Sequence, residues 1–217
     1  MTPRLQPPVL MLVTDRHLAG GEDALLKAVD AAVEGGVNAV QLREKDMRPA
    51  ELLPLACRLR EASEGRALLL VNGPLEIALE ARADGAHLPA DAEPPPRTRL
   101  SGGQAFTWGR SVHSAQEAFM AMGEAPRYLI AGPIYATASH PGAHPAGLSL
   151  IREINPIASV PIIAIGGITP RNAGDIMQAG ADGIAVISAI LGNEDPREAA
   201  RALAKAFEFV PVRKHFP

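Results

Sequence analysis

The chain has 217 residues, a net charge of −3, 47% hydrophobic residues and only 4% aromatic ones. That length suits one large domain or two small ones, the core must be aliphatic, and the mild negative charge argues against a nucleic-acid surface. The single cysteine, Cys57, excludes an intramolecular disulfide framework; no apolar run nears the roughly 18 residues of a membrane span and no charged-then-apolar leader opens the chain, so a soluble cytoplasmic protein is expected.

In chain order, "VLMLVTD" (9–15) is a short aliphatic run. "DALLKAVDAAVEGG" follows with apolar residues at helical spacing and a glycine stop at Gly35-Gly36. "VNAVQLRE" with "PAELLPLACRLREASEG", and "ALLLVN" with "PLEIALEARADG", repeat the pair. After "GAHL" come "WGRSVHS" with "AQEAFMAMG" and "RYLIAGPIY" with "LSLIREIN". "VPIIAIGG" with "TPRNAGDIMQAG" and "GIAVIS" with "DPREAARALAKAF" complete the series. Continuous rather than alternating aliphatic runs mark strands buried on both faces, as in parallel sheets. The joints "EGGVNAV", "RADGAHL" and "AGADGIAV" each leave a helix on glycine and enter a strand. About eight strand–helix units in this length predict a single-domain (β/α)₈ TIM barrel over residues 1–217. A doubly wound open sheet is the alternative, but "TDRHLAGG" is not its glycine fingerprint. "YATASHPGAHPAG" (135–147) is the one loop long enough for a lid.

In such a barrel the chemistry sits at the C-terminal strand ends, which selects Asp15, Gln41, Arg43, Lys45, Asn72, His87, His113, Tyr135, Gly166-Gly167 and Ser188. "IGGIT" offers unobstructed backbone N–H groups, and "ISAI" offers a hydroxyl where a short helix can start. Gly166, Gly167, Ile187 and Ser188 are therefore expected to bind phosphate, with Gly147 nearby. Gln41, Arg43 and Lys45 alternate toward the mouth and suit an anionic substrate; the competing reading is a rim salt bridge to Glu44 or Asp46. His113 is the expected proton carrier, against the alternative of a packed histidine. His140 and His144 close over a ligand or are simply solvated. No histidine spacing matches a zinc site, so no metal is expected.

The series "VQLREKD", "ADGAHL", "SVHS", "GPIYAT", "AGLSL", "AIGGI" and "GADGIAVISAI" resembles the thiamine phosphate synthase superfamily, in order, from Val13 to Phe207. The resemblance implies one of two activities. The synthase couples hydroxymethylpyrimidine diphosphate to a thiazole phosphate with Mg²⁺. The thiazole tautomerase (TenI-like) branch isomerises a thiazole carboxylate phosphate to its aromatic form. In the synthase pattern an aspartate follows the strand 3 asparagine and another ends a Gly-Gln-x-Asp run after strand 4. Here those positions hold Gly73 and Ala92, with Asp91 one residue early and Glu93 one late. "QLREK" keeps the synthase form for binding the pyrimidine diphosphate, while a lysine expected in the long loop is His140.

On that departure the expected function is the tautomerase. His113 would move the proton, Gln41, Arg43, Lys45, Asn72 and Gly147 would bind substrate, and no cofactor would be needed. Mg²⁺ enters only with the alternative, a synthase using displaced acids such as Asp91 or Glu93. A thiazole-phosphate-binding regulatory protein is the third reading. The expected partner is a small-molecule thiazole phosphate, with no nucleic acid and no membrane, in a homodimer.

Overall fold

The computed structural model describes residues 5–95, 106–137, 142, 144–207 and 210. Eight parallel strands close into a barrel in sequence order. They are β1 (Val9–Val13), β2 (Ala39–Leu42), β3 (Leu68–Val71), β4 (Gly85–Leu88), β5 (Thr107–Val112), β6 (Tyr128–Ala131), β7 (Ile162–Ile165) and β8 (Gly183–Val186). β8 returns to β1 through Val9–Gly183 to Leu12–Val186, which closes the ring. The expected single-domain barrel is therefore present, and the helices lie between the strands.

Those helices are α1 (Arg16–Ala19), α2 (Glu22–Glu34), α3 (Pro49–Ser63), α4 (Leu75–Glu80) and α5 (Ala115–Gly123), then α6 (Gly147–Ile154), α7 (Ala173–Gln178), α8 (Ser188–Leu191) and α9 (Pro196–Phe207). Local chemistry explains their starts. Asp15 caps α1 by accepting the Leu18 N–H, and Ser114 caps α5 by accepting that of Glu117. Pro49 occupies the first turn of α3, where its missing N–H costs nothing, and the Glu51 carboxylate accepts the Arg48 backbone N–H at 3.0 Å. Among the described residues no helix is long and apolar enough to cross a membrane.

One device recurs at the bottom of the barrel. The residue just before β2, β4 and β8 is Asn38, Asp84 and Asp182. Each side-chain oxygen accepts an N–H from the preceding strand: Leu10 at 3.0 Å, Leu69 at 2.8 Å and Ile162 at 2.8 Å. Each thus ties an even strand to the odd strand before it. The position before β6 is Arg127, whose backbone N–H instead donates to the Trp108 carbonyl at 2.7 Å.

Two cores result. Leu, Ile, Val and Ala side chains pointing outward fill the space between barrel and helices. Inside, Val9, Met11, Val13, Leu70, Tyr128, Ile130 and Ile163 fill the barrel itself. Tyr128 requires a glycine beside it: a Cβ on Gly109 would lie 2.2 Å from the ring carbon Cζ. Tyr128 thus plugs the interior, and above it a cavity opens at the C-terminal strand ends.

Candidate active site

At that end a cavity of about 470 Å³ opens, and Gln41, Arg43 and Lys45 all line it. The β2 exit is fixed by the Arg43 N–H donating to Thr14 Oγ1 at 2.9 Å, which joins it to the end of β1. The rim acids do not pair with these cations. Glu44, 6% exposed, meets Arg16 Nη1 at 3.0 Å and also accepts the Arg16 backbone N–H. Asp46 takes both guanidinium nitrogens of Arg16 at 2.6 Å and approaches His17 at 2.9 Å. The Arg16 bonds hold the Asp46 carboxyl well below the usual carboxylate range. Arg43 and Lys45 have no ion-pair partner among the described residues. Burial lowers the Arg43 pKa from its ordinary value, opposed by Asp15 and Glu44, but a guanidinium remains charged.

Asn72 lines the cavity, and Gly73 does not. A Cβ on Gly73 would lie 3.1 Å from Leu52 Cδ2 and so faces α3. After β4, Pro89, Ala90 and Asp91 line the mouth while Ala92 and Glu93 do not. Asp91 is the one carboxylate in the lining among the described residues.

His87 lies below them, 1% exposed, its Nε2 2.8 Å from Ser111 Oγ and its Nδ1 3.3 Å from the Tyr128 hydroxyl. Burial, then Arg43 and Arg110, pushes its pKa down to about 3, so it is neutral at ordinary pH. His113 extends from the β5 exit with Nδ1 2.5 Å from the Gly132 carbonyl. A carbonyl only accepts, so Nδ1 carries a proton and donates it there, while Nε2 has no partner among the described residues.

Gly166, Gly167, Ile187 and Ser188 line the same cavity. Gly166 and Gly167 have φ of +104° and +63°, and their N–H groups have no partner among the described residues. Gly147 departs from its expected place. Its N–H donates to the Ile134 carbonyl at 3.0 Å, and it is not in the lining. Asp15 serves as the α1 cap, and Tyr135 packs beside the outer core. His140 lies outside the described residues, and His144 is exposed and away from the lining. Sequence reasoning missed Ser111 and Thr137, both in the lining. Counting back by two from His113 along β5 finds Ser111; nothing in the sequence marks Thr137.

A family model described as thiamine monophosphate synthase (TMP-TENI) matches residues 10–190. A thiamine-phosphate synthase of Methanospirillum hungatei is 42% identical over 197 residues, 90% of this chain and 95% of its own. That of Chloroflexus aurantiacus is 40% identical over 196 residues, 89% and 92% of the two chains. The solved thiamine phosphate pyrophosphorylase of Pyrococcus furiosus superposes with a TM-score of 0.82 at 34% identity, covering 93% of this chain and 96% of that one. These names overturn the expected tautomerase and its isomerase class: relatives at this identity carry the transferase name. The departures at Gly73 and Ala92 therefore do not mark the tautomerase branch; of the displaced acids, Asp91 is in the lining and Glu93 is not. The chain belongs to the thiamine monophosphate synthase (TMP-TENI) family.

Proposed function

We propose that the chain is a thiamine-phosphate synthase, a transferase that moves the pyrimidinylmethyl group of hydroxymethylpyrimidine diphosphate onto the ring nitrogen of a thiazole phosphate. The observation that carries the reading is the pair of cations at the mouth. Arg43 and Lys45 face the cavity without acid partners because Arg16 occupies Glu44 and Asp46. A guanidinium and an ammonium so placed suit a diphosphate, binding it and offsetting the charge that grows as it leaves.

The reaction breaks the bond between the methylene carbon and the diphosphate oxygen and forms a carbon–nitrogen bond. Pyrophosphate departs, and the thiazole nitrogen supplies the electron pair. No proton need be removed from an aromatic thiazole, so no general base is required. His113, whose Nε2 has no partner among the described residues, is assigned to orienting a substrate group. The amides of Gln41 and Asn72 offer donors and acceptors for an aminopyrimidine edge. The free N–H groups of Gly166 and Gly167, with the Ser188 hydroxyl, are assigned to the thiazole phosphate.

The family resemblance implies Mg²⁺. The ion is commonly held by one or two carboxylates plus substrate phosphates, and Asp91 fits the minimal case. It lines the mouth with Arg43 and Lys45 and has no partner of its own among the described residues. Asp91 would hold the ion beside the diphosphate, where it would supply further neutralisation of the leaving group.

Expression in a bacterial strain deleted for its own thiamine-phosphate synthase tests the reading. Growth without thiamine is expected. Absence of growth, with the protein shown to be soluble and abundant, would refute it.

A further inference from the structure

We propose that Arg110 is a positioning residue that fixes Asp91 at the mouth of the barrel; this rests on the synthase reading and deepens it. Arg110 is on β5, but its side chain leaves the barrel and is 5% exposed. Its Nη1 reaches the carbonyls of Pro89, Ala90 and Ala92 at 3.3, 3.0 and 2.7 Å. Two hydrogens thus serve three acceptors, which bracket Asp91 on both sides in the chain. The Ala92 N–H returns to the Pro89 carbonyl at 3.2 Å and closes the segment into a turn.

The other end of the guanidinium is anchored. Nη2 lies 2.8 Å from Glu124 Oε2 at the C-terminus of α5, an ion pair without hydrogen-bond alignment. The guanidinium carbon sits 6.0 Å from the Trp108 ring centroid. Among the described residues no other side chain hydrogen-bonds to the turn, and Asp91 is exposed. A charged group nearly out of water that gathers three carbonyls of one turn is an expensive way to hold an ordinary loop. It is apt where the loop carries the one acid of the site, because an exposed carboxylate on a free turn loses its position to chain entropy. The placement also brings a second cation near the site, where it helps keep His87 neutral.

The test uses Mn²⁺ with inorganic pyrophosphate as the probe, and measures its binding calorimetrically for wild type, Arg110→Met, Asp91→Asn and the double variant. Arg110→Met is expected to weaken binding about tenfold, as loss of a partner behind a metal ligand does. Asp91→Asn should weaken it as much or more, and the double variant no further than Asp91→Asn alone. Losses that multiply in the double variant, or a folded Arg110→Met within about twofold of wild type, would overturn the proposal. Failure of wild type to bind the probe would also overturn it. Should Arg110→Met not fold, Arg110→Lys keeps the charge beside Glu124 but cannot span three carbonyls; it should lose about threefold, again only while Asp91 is present. A wild type that makes no thiamine phosphate yet shows the coupled losses would sink the synthase reading and leave this one standing. Product formation with uncoupled losses would do the reverse.

Discussion

Arg16 Nη1 lies 3.0 Å from Glu44 Oε2, and this pair, with Glu44 almost fully buried, leaves Arg43 without an ion-pair partner among the described residues. The charge available to substrate at the mouth is thus set by a residue outside the mouth.

Replacing Arg16 by Met should therefore impair anion binding although Arg43 and Lys45 remain. The freed Glu44 carboxylate would compete for Arg43. Breaking a buried pair by removing one partner costs about 3–5 kcal/mol. Arg16 is partly exposed, so the lower end or less is expected. Calorimetry should show pyrophosphate binding weakened about tenfold, and urea denaturation should show the lost stability. Unchanged pyrophosphate affinity would contradict the role given to the pair.

Arg43→Lys keeps the charge but loses the planar fork. Steady-state kinetics should show KM for the pyrimidine diphosphate raised about tenfold, with KM for the thiazole phosphate changed much less. Equal changes in both would mean that Arg43 does not select the diphosphate.

Gly167→Ala adds a Cβ that would lie 2.4 Å from the Ala136 carbonyl oxygen and 2.7 Å from Tyr135 Cβ, at a φ of +63°. Strain of this kind costs about 1–3 kcal/mol. The loop after β7 must shift, and with it the N–H groups assigned to the phosphate. Thermal denaturation should fall by several degrees, and KM for the thiazole phosphate should rise more than KM for the diphosphate. A larger effect on the diphosphate would move the phosphate anchor elsewhere.

His87 predicts an acid-side instability. The unfolded histidine takes a proton near its ordinary value of 6.5, and the folded one near 3. Over that window the unfolded state binds more protons, so stability falls as pH falls, by up to about 1.4 kcal/mol per pH unit. Above pH 6.5 the residue contributes no slope. Urea titrations from pH 7 to pH 4 should show His87→Gln with about one proton less pH dependence than wild type. Parallel slopes for the two proteins would contradict a neutral buried His87.

The barrel was legible in the sequence because most of the buried parallel strands, such as β1, β3 and β7, are unbroken aliphatic runs, and several helices, such as α2 and α7, are followed by glycine. Strand ends likewise marked Arg43, Asn72, His113 and Gly167, since position in a barrel follows from order along the chain. What was not legible depends on contacts between strands. Asn38, Asp84 and Asp182 look like turn residues until register places each against its neighbour's N–H. Arg110 reads as a polar residue in an apolar strand, and its three carbonyl partners lie some twenty residues away. The choice of activity failed too. Gly73 and Ala92 pointed to the tautomerase, whereas the relatives carry the synthase name; in the fold a Cβ at position 73 would face α3, and of the displaced acids Asp91 lines the cavity.

The most direct measurement is product formation by the purified, unmutated protein given hydroxymethylpyrimidine diphosphate, thiazole phosphate and Mg²⁺. Thiamine phosphate and pyrophosphate should appear in equal amounts, only when both substrates are present, at an enzymatic rate on the order of 1 s⁻¹. No thiamine phosphate at saturating substrates and metal, from protein shown to be folded, would contradict the account.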